Sequence, residues 1–361
     1  MPFVQLKPRP DRSAPGSPPP GAQRRPGTGN QPQNHHQQDN PQQLIAQLQQ
    51  LIHDSDWDNQ LRPQIYARAA QPIRERADAR RQAQQQNNHP QQNDPQQPAV
   101  PDLTGLGSVL RIDAFARGIK QIQQDWGTLG APHARAQALC NACNTALRDI
   151  GVYPISDVEA HPMEPRGAFN RKQWKLIFRE QTLSQPAPLG GREAAGIADT
   201  ALHETRHCEQ HFRVARYLAG QRQSAKTIAA QREIPIAVAQ AAAEHPLTCQ
   251  NGTSQEIQEA KQWKQQFGAK DQVQHDHHIA GETGQEIEHL AQRRAAAQQA
   301  LTDLQDHQTP HDLQRARLAA RALAAQIAAV RKVYAAYRAI PWEADAHEVG
   351  VSSARAFEWL P

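Results

Sequence analysis

The sequence predicts a mainly α-helical domain with a small β-sheet, preceded by a disordered N-terminal region. Alanine-rich stretches with helical periodicity, at residues 192–219 and 285–338, predict the helices. Residues 169–178, FNRKQWKLIF, interleave aromatic and branched side chains with polar ones, which indicates a strand. The first hundred residues are rich in Pro and Gln, and such segments bury too little apolar area to offset the entropy of ordering.

The N-terminal part of the chain divides into three segments by composition. We expect a disordered tail over residues 1–41, which contains PGSPPPG and NHHQQDN. Residues 42–84 place apolar side chains at helical spacing, which predicts a pair of short helices that dock onto the main domain or onto a partner. Residues 85–102 form a low-complexity linker, and a main domain spans 103–361.

The main domain is predicted to be helical at both ends. A helical region over residues 108–150 is broken between Gly127 and Pro132, and the helix after Arg192 ends near Gly220. Residues 248–284 are polar and predict irregular structure. A helical hairpin is expected over 285–338, with its break near Pro310, and Pro341 begins a last helix.

Charge and composition exclude several classes of protein. The net charge of +4 comes without a basic stripe, which argues against a nucleic-acid partner. Residues 224–243 resemble a helix-turn-helix in the lengths of their two helical segments and the break between them. No basic cluster follows them, so two packed helices are the preferred interpretation. No apolar run is long enough for a membrane span, and the N-terminus has no secretory signal pattern. We expect a protein that is cytoplasmic or exported without a Sec signal peptide.

The four cysteines do not predict a disulfide framework or a redox centre. Cys140 and Cys143 form a single CxxC pair within an alanine-rich helical stretch, and we interpret them as two thiols on one helix face. Cys208 and Cys249 are isolated in the sequence.

The clearest chemical signal is the HExxH sequence at residues 203–207, within ADTALHETRHCEQHF. Residues four apart share a helix face, so His203 and His207 can both bind one Zn²⁺ ion. Glu204 follows the first of them and would lie beside the metal, where it can accept a proton from a metal-activated water. Apolar neighbours along the helix indicate burial, and buried imidazoles require partners that a metal would supply.

A catalytic zinc commonly takes three protein ligands, and the sequence offers several candidates for the third. His211 lies one turn further along the same helix, but one helix face cannot place three ligands around a metal. Glu343 and His347 share a face of the last helix, AIPWEADAHEVG, and we prefer Glu343. His347, His211 and Asp345 remain as an alternative ligand or as residues that orient the ligands.

Two further features are weaker. Tyr334 or Tyr337 precedes Glu343 and could stabilise an oxyanion, with Tyr337 as the candidate. Ordinary aromatic packing on an alanine-rich helix is the preferred interpretation of both residues. The HDHH run at residues 275–278 is interpreted as part of a solvated loop.

The pairing of LHETRHCEQ with the distant YRAIPWEADAHEVG resembles the gluzincin group of bacterial metallopeptidases, and most closely domains found with contractile injection systems and polymorphic toxins. The resemblance covers about residues 150–350 and depends on two short motifs. The strand-like segment and glycine loop before the motif follow the order of zincin folds. The resemblance implies a zincin-like domain in which Zn²⁺ is held by His203, His207 and Glu343, and in which Glu204 is the general base. EADAH departs from the common ExxAD form.

We therefore expect a zinc-dependent metallopeptidase that acts on a protein or peptide substrate, as a secreted effector or toxin. The resemblance further implies that the N-terminal region serves loading or export through secretion-apparatus components. The alternative is a non-enzymatic structural or adaptor component of a secretion apparatus with a degenerate zincin fold. Retention of Glu204 favours the enzyme, because an inactive site has little need of the base.

Overall fold

The computed structural model describes residues 40–87, 104–162, 166–250, 252–268 and 270–361. In these residues the protein is mainly α-helical with one small β-sheet, as the sequence predicts. The predicted tail over residues 1–41 and linker over 85–102 lie almost entirely outside this part of the chain. None of the described helices is long and apolar enough to cross a membrane.

Thirteen α-helices are described. Their bounds are α1 Pro41–Asp54, α2 Arg62–Asn87, α3 Val109–Gln124, α4 Trp126–Leu129, α5 Pro132–Arg148, α6 Glu180–Leu183, α7 Gly191–Gly220, α8 Ala225–Arg232, α9 Ile236–Glu244, α10 Ser254–Gly268, α11 Lys270–His307, α12 Pro310–Arg338 and α13 Pro341–Trp359. A π-helical turn, Trp57–Leu61, leads into α2, and a 3₁₀ turn, Gly105–Gly107, precedes α3.

The described sheet has three strands in the order β1-β3-β2, with β1 at Asp157–His161, β2 at Gly167–Asn170 and β3 at Lys175–Arg179. β3 runs parallel to β1 and antiparallel to β2. The sequence predicted one continuous strand across residues 169–178, and the structure instead forms a turn within it. The Asn170 side chain accepts hydrogen bonds from the backbone N–H groups of Lys172 and Gln173, at 3.1 and 3.2 Å, which stabilises that turn.

Helix α7 lies at the centre of the main hydrophobic core. It packs against α5, α9, α10, α13 and strand β2. Most of its residues between Ala194 and Leu218 are buried. Because nearly every face of α7 is covered, its polar side chains must find partners inside the protein.

The predicted helical pair in residues 42–84 packs against later helices of the chain. Helix α1 inserts Leu44, Leu48 and Ile52 between α11 and α12, where they form a second apolar cluster. Helix α2 lies against α13, and Arg80 on α2 makes an ion pair of 2.7 Å with Glu348 on α13. Pro41–Pro361 forms one compact unit.

Residues 248–284 differ from the sequence prediction, because helix α10 and the start of helix α11 occupy this region. The segment is rich in polar residues, but Ile257, Ala260, Trp263 and Phe267 recur at the spacing of one helix face, a pattern that the sequence prediction overlooked. Ala260 and Trp263 of α10 are buried beside α7. The HDHH run therefore has a helical backbone instead of a loop, and its side chains lie outside the described residues.

Candidate metal centre

Helix α7 presents the HExxH residues on its buried surface. The Nε2 atoms of His203 and His207 lie 3.1 Å apart. The Glu204 carboxylate comes within 3.9 Å of the His203 Nε2 atom. One helical turn separates the two imidazoles, so the helix alone brings both of them to one point.

Helix α13 supplies Glu343 to the same point, although Glu343 lies 136 positions after His207 in the chain. Its Oε2 atom lies 3.4 Å from the Nε2 atom of His203 and 3.6 Å from that of His207. Ligands held tetrahedrally at about 2.0–2.2 Å from a zinc ion have their donor atoms about 3.3–3.6 Å apart. The three donor atoms therefore have nearly the spacing of a tetrahedral metal site.

The approach of α13 to α7 depends on Gly350. A Cβ atom at this position would lie 2.7 Å from the backbone oxygen of Asp199 and 3.0 Å from the Cβ of His203. Only a glycine lets the two helices come this close without displacement. Gly350 lies two helical turns after Glu343, so it sets the distance at which α13 delivers the carboxylate.

The electrostatics of the three side chains are strongly coupled. Burial opposes ionisation of Glu343, but the imidazoles of His207 and His203 hold its pKa well below the usual range. Burial likewise opposes protonation of His207, but the Glu343 carboxylate raises its pKa to about 9. A metal bound between these side chains would therefore require His207 to release its proton.

Several buried polar atoms in this cluster have no hydrogen-bond partner. They are His203 Nδ1, Glu343 Oε2 and both ring nitrogens of His347. His203, Glu343 and His347 can present ligand atoms that all lie within 4.8 Å of one another, and so can His203, Glu204 and His207. Unsatisfied buried donors and acceptors are costly, and a divalent metal would use the Glu343 oxygen directly. The donor set and its spacing fit a divalent cation such as Zn²⁺.

His347 lies beside these ligands, with its ring centroid 4.4 Å from that of His203. Burial and the nearby His203 hold its pKa well below the usual range, so its imidazole is neutral and able to bind a metal. Glu343, however, approaches both histidines of the HExxH sequence. The geometry therefore favours Glu343 as the third ligand, with His347 as the neighbouring alternative.

A chain of hydrogen bonds fixes the orientation of His207. Its Nδ1 atom lies 2.9 Å from the Oε1 atom of Gln210, whose Nε2 atom donates to an Asp345 oxygen at 2.7 Å and to the Trp342 carbonyl at 3.0 Å. Such partners hold a ligating imidazole in one tautomer and one orientation. Asp345 thus acts on His207 through Gln210 rather than as a ligand.

Asp345 is itself held by Arg206, which pairs with two carboxylates. The Arg206 Nε atom lies 2.9 Å from an Asp345 oxygen, and its Nη1 atom lies 2.6 Å from a Glu209 oxygen. Burial opposes ionisation of Asp345, but Arg206 keeps its pKa below the usual value. This ion pair is a second contact that ties α7 to α13.

Glu204 contacts the edge strand of the sheet. Its Oε2 atom accepts a hydrogen bond of 2.9 Å from the backbone N–H of Phe169 on β2. That N–H is directed away from β3, the neighbour with which β2 pairs. A Cβ atom at Gly167 would lie 2.6 Å from the Thr200 Cγ2 atom and 3.2 Å from the Glu204 Cγ atom, so glycine permits the close approach of β2 to α7.

The two tyrosines before Glu343 have different environments. Burial, together with the carboxylates of Glu343 and Glu204, raises the pKa of Tyr337 well above its usual value. Tyr337 therefore lies beside the carboxylates of the site as a neutral hydroxyl. Tyr334 is buried against Trp57, with ring centroids 5.5 Å apart in an edge-to-face arrangement, and serves packing.

The remaining candidate residues lie away from the cluster. His211 stacks on Phe267, with ring centroids 4.6 Å apart, and burial and Arg232 hold its pKa well below the usual range. Cys140 and Cys143 are buried thiols on α5, and burial raises the pKa of Cys143 to about 12.

Sequence reasoning missed the residues that support the site. Gln210 follows His207 by three positions on the same helix face, a spacing that could have marked it. Tyr66 of α2 donates a hydrogen bond to Asp199, which lies one turn before His203. No pattern in the sequence points to Tyr66, because its partner is 133 positions away.

No family model matches this chain, and neither a curated protein nor a solved structure matches it.

Proposed function

We propose that the protein is a zinc-dependent metallopeptidase with His203, His207 and Glu343 as its ligands. The observation that carries the proposal is the convergence of three buried donor atoms, 3.1 to 3.6 Å apart, from two helices distant in sequence. Three protein ligands leave one position for water or substrate, which is the arrangement of catalytic rather than structural zinc sites.

The zinc ion would polarise the substrate carbonyl and lower the pKa of a water molecule. Glu204 would accept the proton of that water and return it to the leaving amine. Tyr337, a neutral hydroxyl beside Glu343 and Glu204, would donate a hydrogen bond to the developing oxyanion.

A peptide is the favoured substrate because an edge strand borders the site. The Phe169 N–H on β2 faces Glu204, so an extended peptide that follows this edge would pass the general base. Backbone pairing with an exposed strand edge is a common mode of peptide recognition. On the resemblance to domains of injection systems and toxins, we further propose that the protein encounters its substrate after export.

Metal analysis of the full chain tests the site. We expect stoichiometric zinc in the wild type and in Glu204→Gln, and strongly reduced zinc in His203→Ala and Glu343→Ala. His347→Ala is the matched control for the third ligand, and it should retain zinc. Zinc retained in Glu343→Ala but lost in His347→Ala would reassign the third ligand.

Hydrolysis is tested separately from metal binding. The zinc-loaded wild type and Glu204→Gln are incubated alone and with casein, and the products are identified by mass spectrometry. Cleavage by the wild type and its loss in Glu204→Gln would support the enzyme. Equal cleavage by both would refute the role of Glu204, and bound zinc without cleavage would favour the adaptor alternative.

A further inference from the structure

A groove of about 960 Å³ lies between α2, the end of α12 and the start of α13. Its apolar lining comes from Ile65, Ala69, Pro72 and Ile73 on α2, and from exposed alanines of the two other helices. The volume lies at the upper end of the range for small-molecule sites, which is about 300–1,000 Å³, so the groove accommodates several amino-acid residues.

Arginine is the dominant charge along this groove. Arg68, Arg331 and Arg338 line it, and none of them forms an ion pair with a carboxylate of the described residues. The fourth arginine, Arg76, does form one, at 3.2 Å from Glu348. The two carboxylates of the lining, Asp345 and Glu348, are already paired with other arginines. The groove therefore presents three arginines without an ion-pair partner in the described part of the chain above an apolar floor, although Arg338 also lies in the field of the buried Asp199.

Arg338 is held in a conformation that suits an anion. Its guanidinium lies over the ring of Tyr66, 4.8 Å from the ring centroid. Its Nη1 atom is buried and has no hydrogen-bond partner. An unsatisfied charged donor is costly, and a carboxylate oxygen would form a charge-assisted hydrogen bond with it. The ring stacking fixes the guanidinium before a ligand arrives, which lowers the entropy cost of binding.

His347 is a second unpartnered group at the same groove. It lines the inner wall, it is only 8% exposed, and neither ring nitrogen has a hydrogen-bond partner. A ligand that enters the groove can therefore contact a buried polar side chain as well as the arginines at the rim.

We propose that this groove binds an acidic amphipathic peptide segment of a partner protein. The arginines would pair with its carboxylates, and the floor would bury its apolar side chains. Residues 1–39 of the chain itself carry five basic and two acidic residues, a charge opposite to the one that the groove requires. The groove lies on α2, α12 and α13 and does not include His203, His207 or Glu343, although it shares His347, the alternative ligand, and Asp345 with the candidate metal site. The charges that carry the proposal are those of Arg68, Arg331 and Arg338, none of which is a candidate ligand.

A direct binding measurement tests the proposal. The probe is a fluorescein-labelled peptide of alternating Glu and Leu pairs, titrated with the full chain and followed by fluorescence anisotropy. Reversal of two rim charges in the double variant Arg68→Glu and Arg331→Glu should weaken binding about tenfold or more. Arg321→Glu is the control, because Arg321 is also exposed on α12 but does not line the groove.

Saturable binding that the double variant weakens and Arg321→Glu preserves would support the groove. Thermal unfolding of each variant verifies that the fold is retained. Equal weakening by Arg321→Glu, equal binding of a Lys and Leu peptide, or no saturable binding would overturn the proposal. Displacement of the peptide by inorganic phosphate at matched ionic strength would reassign the groove to a small anion and would also overturn it.

Discussion

The close contact of α7 with α13 makes Gly350 a sensitive test of the structure. An alanine Cβ at this position would meet the Asp199 side-chain oxygen at 2.4 Å, the Asp199 backbone oxygen at 2.7 Å and the His203 Cβ at 3.0 Å. The side chain can rotate away, but the backbone oxygen belongs to a helix that is covered on nearly every face. We expect the two helices to separate by several tenths of an ångström in the variant.

The expected change in the free energy of unfolding of Gly350→Ala combines two opposing contributions. Overpacking a filled core costs about 1–3 kcal/mol. Replacing glycine within a helix returns about 0.5–1 kcal/mol. Because the 2.7 Å contact is with a backbone oxygen, the overpacking cost lies in the upper part of that range, about 2–3 kcal/mol. Gly350→Ala should therefore destabilise the protein by about 1–2.5 kcal/mol, which at about 2–4 °C per kcal/mol lowers Tm by about 2–10 °C.

Gly118→Ala provides the matched control, because it makes the same substitution inside another helix. A Cβ at Gly118 meets only the Cβ of Ala142, at 3.9 Å, an ordinary contact. This variant should gain about 0.5–1 kcal/mol from its better helix propensity. Urea unfolding of both variants measures the difference, and a Gly350→Ala protein as stable as wild type would refute the claimed approach of the helices.

Three other predictions address buried groups. Cys249 is exposed, whereas the other three cysteines are buried and burial raises the pKa of Cys143 to about 12. Ellman's reagent at neutral pH should therefore modify one thiol rapidly, and Cys249→Ser should abolish this rapid reaction. Rapid modification of a second thiol would contradict the burial of the other cysteines. Arg206→Ala removes the ion-pair partner of Asp345 and one of the two arginines that pair with the fully buried Glu209, which keeps Arg213 at 2.6 Å. The variant should lose about 1.5–3 kcal/mol in urea unfolding, and a loss below about 1 kcal/mol would contradict this ion-pair network. The pKa of His207 is raised to about 9, so in metal-free protein its protonation stabilises the fold fully below the unfolded-state pKa of about 6.5. That stabilisation is lost as the pH rises from about 6.5 through 9. The free energy of unfolding, measured with a chelator present, should therefore fall across this pH range in the wild type and change less in His207→Gln.

The helical elements could be predicted from the sequence because they depend on local patterns. The burial of α7 followed from its apolar neighbours, and the hairpin of α11 and α12 followed from periodicity broken near Pro310. The prediction failed at residues 248–284, where Ile257, Ala260, Trp263 and Phe267 have helical spacing but are surrounded by so many polar residues that the segment reads as irregular until α10 packs against α7. It also joined β2 and β3 into one strand, because the turn at Asn170 depends on a side-chain hydrogen bond.

The sequence by itself determined which side chains α7 would bring together, because the four-residue spacing of His203 and His207 places them on one helix face whatever the rest of the chain does. It also named Glu343 as the preferred third ligand, His347 as the alternative and Tyr337 as a candidate oxyanion stabiliser. Only the tertiary structure decided that Glu343 reaches both imidazoles, since that distance depends on how closely α13 packs against α7 at Gly350. The arginine groove arises in the same way, because its charges come from helices that are remote in sequence and meet only when the protein folds.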